Sequence, residues 1–443
     1  MTYSIDDETN DEIILDPNKV VLVGVCLPDE NIGDKEKSLE ELELLAKTAG
    51  LKTVHTMIQK RSRINGATYV GSGFLEEVEY RAITNGAKQV IFDNELSPTQ
   101  GKNISLLLKV NVIDRTEVIL NIFHKHAQTH EARLQVKLAE LQYQLPRLKK
   151  LWSHFEGGRV AAGGAKGSGA ASRGMGETQL EVDKRLIRND IGKVQNRIHD
   201  ILKQKDNQSK KRANLKRISL VGYTNAGKST LFNYITDAGV LAEDKLFATL
   251  DSTARMVKLK RGREMVLSDT VGFISQLPHH LVASFRATLK EVVEADLLLH
   301  VIDVADTRFD FYIAEVNKVL ESIGAGEVQT QLVFNKIDRL SREQLLFLKN
   351  RFPGAIFVSA KTGTNVEELK EKIESNLHYS ATYRLFIPFT EQKSASKLEK
   401  IGEIVNKDYQ NQGTEFIAVI NDEDVRFFRR FLRFTIDDFY PNI

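Results

Sequence analysis

Apolar positions change their period several times along the 443-residue chain, and each change marks a boundary. Short β-branched runs at Val20–Cys26, Leu51–Met57, Gln89–Asp93 and Val110–Asp114 alternate with helix-spaced segments at Ser38–Ala49, Phe74–Thr84 and Ser97–Leu108. Such alternation predicts a parallel α/β domain. From Glu131 the spacing becomes heptad, through Leu134, Leu138, Leu141, Leu145 and Leu148, and a second seam follows through Leu180, Ile187, Ile191, Val194, Ile198 and Ile201. Residues 157–176 between them are rich in Gly, Ala and Ser. Each Gly costs a helix about 1 kcal/mol relative to Ala. The pattern therefore predicts an antiparallel helical hairpin with a long tip, its first helix kinked at Pro146. Strand–helix alternation resumes at Arg217–Val221. The tail reads as strand (Leu385–Pro388), helix (Ala395–Val405), strand (Glu415–Ile420) and helix (Asp424–Phe431). The expected organisation is an α/β multidomain chain: an acidic leader (1–17), an N-terminal parallel α/β domain (18–130), a helical hairpin (131–213) with a glycine-rich loop (157–176), a second α/β domain (214–378) and a small α+β domain (383–443).

Charge sharpens this picture. The whole chain is nearly neutral, at +2, but Glu131–Arg217 holds 20 Lys and Arg against 9 Asp and Glu. The excess continues through the glycine-rich tip at Arg159, Lys166 and Arg173, where no helix face needs solvating. That polarity points to a nucleic-acid contact. One cysteine, Cys26, rules out an intramolecular disulfide and a cysteine zinc site, and fits a reducing compartment. No apolar run reaches the roughly 20 residues of a membrane span.

The second α/β domain carries the chemistry. Gly222, Tyr223, Thr224, Asn225, Ala226, Gly227, Lys228 and Ser229 fit G-x-x-x-x-G-K-S/T between a strand and a helix pattern that continues through Thr230. This is a P-loop: backbone amides and a helix N-terminus cradle phosphate oxygens, Lys228 reaches the β- and γ-phosphates and the Ser229 hydroxyl faces Mg²⁺. A strand ends at Asp269, followed by Thr270, Val271 and Gly272; the carboxylate suits the Mg²⁺ surroundings and the Gly272 amide suits the γ-phosphate. A further strand ends at Asn335, Lys336, Ile337 and Asp338. A carboxylate there accepts from both N1–H and N2–H of guanine, a donor pair that adenine lacks. Asn335 would tie this loop to the P-loop, and the Lys336 stem would cover the base. Ser359, Ala360 and Lys361 end the last strand, where the Ala360 amide is expected to meet guanine O6. Four loops at strand C-termini define a guanine-nucleotide site on an α/β sheet. Between P-loop and Asp269 lies Phe247-Ala248-Thr249-Leu250-Asp251; chemistry alone leaves Thr249 and Thr253 equally suited to close on Mg²⁺ and the γ-phosphate.

These strings, GYTNAGKSTLFN, FATLDSTAR, DTVGFI, NKID and SAKTG, resemble the HflX family of ribosome-associated GTPases. Upstream segments agree: YVGSG at Tyr69–Gly73, DNELSPTQ at Asp93–Gln100, VIDRTEVILNIF at Val112–Phe123, LQVKLAELQYQLPRL at Leu134–Leu148 and RGMGETQLEVDKR at Arg173–Arg185. The resemblance implies a P-loop GTPase (G) domain at 214–378 that hydrolyses GTP to GDP with Mg²⁺. Its catalytic and switch groups would be Lys228, Thr249 and Gly272, its metal ligands Ser229, Thr249 and Asp269. It also implies binding to the large (50S) ribosomal subunit, with the tip near the peptidyl-transferase region of 23S rRNA, and splitting of stalled 70S ribosomes. Ribosome-contact candidates are Arg159, Lys166, Arg173, Lys184 and Arg185. The expected protein is monomeric when free, cytoplasmic and ribosome-associated, with peripheral membrane association as a further expectation. The sequence departs from the family pattern at Met175, Ser252 and Phe74, and its tip is longer.

Phe273 follows Gly272 where many GTPases place a water-orienting Gln, so hydrolysis is expected to need an outside contribution. Competing readings are an RNA- or ribosome-binding module that guanine nucleotide merely regulates, and a P-loop ATPase or kinase, against which Asp338 argues. Cys26 and His300 read as core, His279 and His280 as an exposed loop, and His124, His126 and His130 as a solvated or contact surface.

Overall fold

The computed structural model describes residues 15–148, 171–210, 215–237, 246–247, 249–250, 253–259, 264–275, 278, 281, 286–377 and 380–435. Most of the leader and of the glycine-rich tip lie outside them, as do His279 and His280. The described chain forms two compact units. The first runs to Val366 apart from residues 259–261, which join the second with residues 367–443.

The first unit opens with β1 (Asp16–Cys26), α1 (Ile32–Thr48), β2 (Lys52–Lys60), α2 (Ser72–Thr84), β3 (Ala87–Phe92), α3 (Pro98–Leu108), β4 (Asn111–Asp114) and α4 (Arg115–His126). All neighbours pair in parallel, in the order β2-β1-β3-β4. The interior of β1 is covered on both faces: Val21, Val23 and Val25 pack toward Val78 and Ile104, while Val20 and Leu22 pack toward Leu39, Leu42 and Phe123. A doubly covered strand explains the unbroken apolar run. Cys26 is buried and unpaired, as its setting predicts. β1 begins at Asp16, inside the stretch assigned to the leader, because the Asp16 amide donates to Gly86 O (2.8 Å). Helix α4 was not anticipated as a separate element; Asp114 caps it by accepting from the Glu117 amide (3.0 Å).

The hairpin follows as α5 (His130–Gln144), a 3₁₀ turn at Leu145–Arg147 and α6 (Ala171–Lys210). Pro146 lacks an N–H, so α5 ends at Gln144 rather than bending through it. Leu134 and Leu138 meet Ile191, Val194, Ile198 and Ile201 along the expected seam. A second stripe on α5, Ala132, Val136, Ala139 and Tyr143, is buried in the core of the α/β domain. Helix α6 begins at Ala171, so the residues from Ala171 to Gly176 are helical rather than part of a loop, and Arg173 sits on the helix. Gly174 and Gly176 are carried by the 40-residue helix that continues beyond them.

The second α/β domain comprises β5 (Lys216–Val221), α7 (Lys228–Thr236), β6 (Thr253–Lys258), β7 (Glu264–Asp269), α8 (Arg286–Val293), β8 (Leu297–Asp303), α9 (Phe309–Ser322), β9 (Thr330–Asn335), α10 (Arg342–Arg351) and β10 (Ile356–Phe357). Its sheet runs β10-β9-β8-β5-β7-β6, parallel except for the antiparallel edge strand β6. The C-terminal ends of β5, β7, β9 and β10 therefore open on one edge.

The second unit holds most of α11 (Val366–Asn376), then β11 (Ser380–Pro388), α12 (Gln392–Ile401), β12 (Glu403–Gln410), β13 (Gly413–Asn421), a single turn α13 (Asp422–Val425) and β14 (Leu432–Thr435). Its antiparallel sheet has the order β12-β13-β11-β14. The expected helix through Val405 stops at Ile401, where Gly402 turns extended and β12 begins. The expected helix to Phe431 is only one turn plus a 3₁₀ turn, followed by β14.

His300 lies in β8 with 1% of its surface exposed, and its Nδ1 has no hydrogen-bond partner among the described residues. Burial, with Lys228 nearby, lowers its pKa to about 4. The unfolded chain then takes up a proton before the folded one as pH falls from about 6.5 to about 4, so stability drops across that window, by about 2 kcal/mol at about pH 5. His300→Leu is expected to flatten this part of the profile, measurable as a smaller shift of the urea midpoint between about pH 7 and about pH 5.

Candidate functional site

The β5–α7 loop carries Gly222 to Gly227, with Lys228, Ser229 and Thr230 in the first turn of α7. Close packing, not sequence pattern alone, fixes its glycines. Gly222 has φ +147°, and a Cβ there would lie 2.2 Å from Val301 O. Gly227 has φ +90°, with its would-be Cβ 2.3 Å from Asn335 Nδ2. Asn225 adopts φ +62°, which Asn tolerates better than most residues.

Asn335, at the end of β9, joins three loops. Its Nδ2 donates to Ala226 O (2.9 Å), and its Oδ1 accepts from the Ala360 amide (2.9 Å). The tie to the P-loop is as expected, but the Ala360 amide, expected to face guanine O6, is engaged by Asn335 instead. Lys336, at φ +67°, extends over the P-loop: its Nζ donates to Asn225 O (2.8 Å) and pairs with Asp303 (2.7 Å). Ile337 and Asp338 form a 3₁₀ turn. The Ser359 hydroxyl donates to Asp338 Oδ1 (2.6 Å) and holds its carboxyl below the ordinary carboxylate range. Lys361 is exposed.

Ser229, Thr249 and Asp269 converge. Ser229 Oγ lies 2.7 Å from both Thr249 Oγ1 and Asp269 Oδ2, and Thr249 Oγ1 lies 3.2 Å from the same carboxylate oxygen. Thr253 instead opens the edge strand β6 opposite Asp269. Among the described residues Asp269 Oδ1 is buried without a partner, and burial raises the carboxyl's pKa although Lys228 opposes this. Two hydroxyls and a carboxylate with an orphaned buried oxygen are the oxygen-rich donor set that a hard cation such as Mg²⁺ takes. Lys228 is buried, its pKa lowered to about 8, and its Nζ donates to Gly222 O (3.1 Å) and Tyr223 O (2.9 Å). Phe247 and Leu250 are buried beside this group, with Phe247 at φ +56°. Ala248 and Asp251 lie outside the described residues.

The loop after β7 lies directly on the P-loop. Phe273 donates its amide to Gly222 O (3.1 Å) and accepts from the Thr224 amide (2.7 Å). Thr270 Oγ1 donates to Leu220 O (2.6 Å), Val271 is buried, and a Cβ on Gly272 would stand 2.9 Å from Lys228 Nζ. The Phe273 side chain is buried in the core.

Sequence reasoning missed the contacts that the N-terminal domain makes here. Tyr223 Oη donates to Glu41 Oε1 (2.5 Å) and accepts from the Ser275 amide (2.6 Å). Ser275 Oγ donates to Glu41 Oε2 (2.6 Å), and Arg115 pairs with Glu41, Asp93 and Ser275. Burial works against the Arg115 charge, but Glu41 and Asp93 hold its pKa above the ordinary value. His126, expected on a solvated or contact surface, instead lies 2.8 Å from Phe247 O through Nδ1, and Phe123 meets the Phe247 ring edge to face. The available signal was a charged residue beside an apolar stripe, Glu41 next to Leu39, Leu42 and Leu45; its partners 74 and 234 positions away left no trace in spacing. Of the ribosome candidates, Arg185 is exposed and Lys184 partly exposed on α6; Arg159 and Lys166 lie outside the described residues, as does the Arg173 side chain.

The fold and the four converging loops define a P-loop GTPase. Profiles of three protein families match consecutive parts, together more than half of the chain: "GTP-binding GTPase N-terminal" at 36–124, "GTP-binding GTPase Middle Region" at 126–212 and "50S ribosome-binding GTPase" at 217–336. The GTPase HflX of Caldanaerobacter subterraneus subsp. tengcongensis is 41% identical over 425 residues, covering 95% of each chain. That of Escherichia coli K12 is 41% identical over 397 residues, covering 87% of this chain and 90% of the relative. The chain belongs to the HflX family; it binds GTP and GDP and hydrolyses GTP. A GTP-binding protein from Sulfolobus solfataricus, solved with GDP, is 23% identical over 81% of this chain and 98% of its own, with a TM-score of 0.42. Among the described residues no helix is long and apolar enough to cross a membrane.

Gly227→Ala should disturb both φ and the Asn335 tie. A left-handed residue with a Cβ costs about 1–2 kcal/mol before any clash. The expected outcome is a loss of about 2–4 kcal/mol in chemical denaturation; an unchanged midpoint would show that Asn335 yields freely.

Proposed function

We propose that the protein is a GTP-driven ribosome-splitting factor of the cytoplasm, monomeric when free, that binds the large subunit through its helical hairpin. The observation that carries this reading is the surface of α6. Its apolar side packs on α5, while Arg185, Arg188, Lys193 and Arg197 are exposed. Over its 40 residues the helix rises about 60 Å, so its exposed cations form an extended basic face for RNA. Not every cation of the hairpin is available to RNA: Arg147 is engaged with Asp114 (3.1 Å).

In this reading Lys228 leaves the carbonyls of Gly222 and Tyr223 for the β- and γ-phosphates. Ser229, Thr249 and Asp269 hold Mg²⁺, which supplies charge neutralisation on the phosphates when bound. The Gly272 amide turns to the γ-phosphate. Asp338 reads N1–H and N2–H of guanine. Thr249 and the loop from Val271 to Phe273 take their hydrolytic positions only when the large subunit holds them, since the Phe273 side chain has no group to orient water.

Asp338→Asn in the full chain is expected to shift preference from guanine toward xanthine nucleotides, because the 2-position then offers an acceptor. Competition binding checks it, and retained GTP preference would count against the assignment. Purified 50S subunits are expected to raise single-turnover hydrolysis by roughly 10³-fold. Deleting residues 157–170 should leave GTP binding unchanged and slow 70S splitting, read by light scattering. Splitting at the wild-type rate would reduce the tip to a linker.

A further inference from the structure

The hydrogen bonds around Glu41 reach the nucleotide site from outside the G domain. Its carboxylate, 7% exposed as a residue, takes the Tyr223 hydroxyl on one oxygen and the Ser275 hydroxyl on the other. Tyr223 belongs to the P-loop, and Ser275 follows Phe273 and Ile274 on the loop after β7. The Tyr223 hydroxyl also receives the Ser275 amide, so two segments of the G domain are joined through one acid of helix α1. Arg115, from α4, closes the group: it pairs with Glu41 and with Asp93 (3.0 Å) and lies 3.3 Å from Ser275 Oγ. Tyr223 is further fixed by stacking on Tyr312, with ring centroids 4.0 Å apart.

In the arrangement that these bonds hold, the groups expected to take phosphate are engaged within the protein. The Thr224 amide of the P-loop is taken by Phe273 O, Lys228 is turned to the carbonyls of Gly222 and Tyr223, and Gly272 lies so close that a Cβ there would stand 2.9 Å from Lys228 Nζ. For the Thr224 amide to take a phosphate oxygen, its bond to Phe273 O must be given up, which requires this loop to move. The anchor resisting that movement is charged and buried, so its hydrogen bonds are stronger than neutral ones.

We propose that Glu41 is a positioning residue for GTP hydrolysis: it clasps Tyr223 and Ser275 and parks the loop that follows Asp269 on the P-loop, so that turnover is low until the clasp opens. This rests on the reading above that the large subunit completes the site. The N-terminal domain would then act on hydrolysis through one carboxylate rather than through a nucleotide of its own.

The test is single-turnover GTP hydrolysis by the full-length protein, with and without 50S subunits, for wild type, Ser275→Ala and Glu41→Gln. Ser275→Ala removes one hydroxyl and leaves the buried charges paired; Glu41→Gln removes the charge that accepts both hydroxyls. Both are expected to raise the rate without 50S by about tenfold. The rate on 50S should stay unchanged, so the stimulation factor falls by the same amount. If Glu41→Gln fails to fold, judged by its melting profile, Ser275→Ala decides alone. A free rate for Ser275→Ala equal to or below that of wild type overturns the clasp. Failure of the underlying reading is seen separately, as the absence of 50S stimulation in the wild type.

Discussion

A buried ion pair governs how the first unit is put together. Arg115 exposes 2% of its surface and Glu41 7%, and neither could be held dry without the groups around it. Removing one partner from such a pair typically costs about 3–5 kcal/mol, because the other charge is left uncompensated. Asp93 and Ser38 complete the ring on the N-terminal side, with Ser38 Oγ 2.8 Å from Asp93 Oδ2, while Tyr223 and Ser275 complete it on the G-domain side. Four stretches of chain must therefore be in register together: α1, the end of β3, the start of α4 and the phosphate-binding edge of the second sheet. Hydrophobic burial supplies most of the adhesion, through a single apolar cluster that runs from Val20 to Phe273 and beyond. The charges supply the register, since an apolar surface tolerates sliding and a bidentate carboxylate does not.

The same domain reaches the nucleotide from a second side. Phe247 adopts a left-handed backbone that a bulky residue seldom takes, and it is held there by the Phe123 ring and by His126. The two loops expected to answer to the γ-phosphate are thus both seated on helices of the N-terminal domain, one through charge and one through aromatic packing. Here their freedom is a property of two domains jointly, which gives a physical reason for the N-terminal domain and the G domain to occur in one chain.

How much of this could be read beforehand depended on how local the determinant was. The P-loop, the strand-end aspartates and the NKID and SAK loops are set by residues a few positions apart, and the structure brings them to one edge of the sheet. The hairpin seam was legible because Leu134, Leu138 and Ile198 recur with the helical period. The second buried stripe of α5 has the same period but is masked beside the leucines, since Ala132, Ala139 and Tyr143 are weaker apolar marks. In the C-terminal unit Gly402 ends α12 by turning extended, and β12 follows with charged, exposed residues that carry little strand signal. The clasp was invisible for another reason: Glu41, Arg115, Tyr223 and Ser275 are each ordinary in their own surroundings and become meaningful only when the fold juxtaposes them.

Helix α6 is a stiff rod whose C-terminal end leads, within a few residues, into the strand that carries the P-loop. A straight rod converts angle into distance. At about 60 Å, a tilt of only about 5° at its root would sweep the far end through about 5 Å, the pitch of one helical turn. Any change of angle at the root would thus arrive magnified at the far end, with the helix as lever arm and the α5 seam as its bearing.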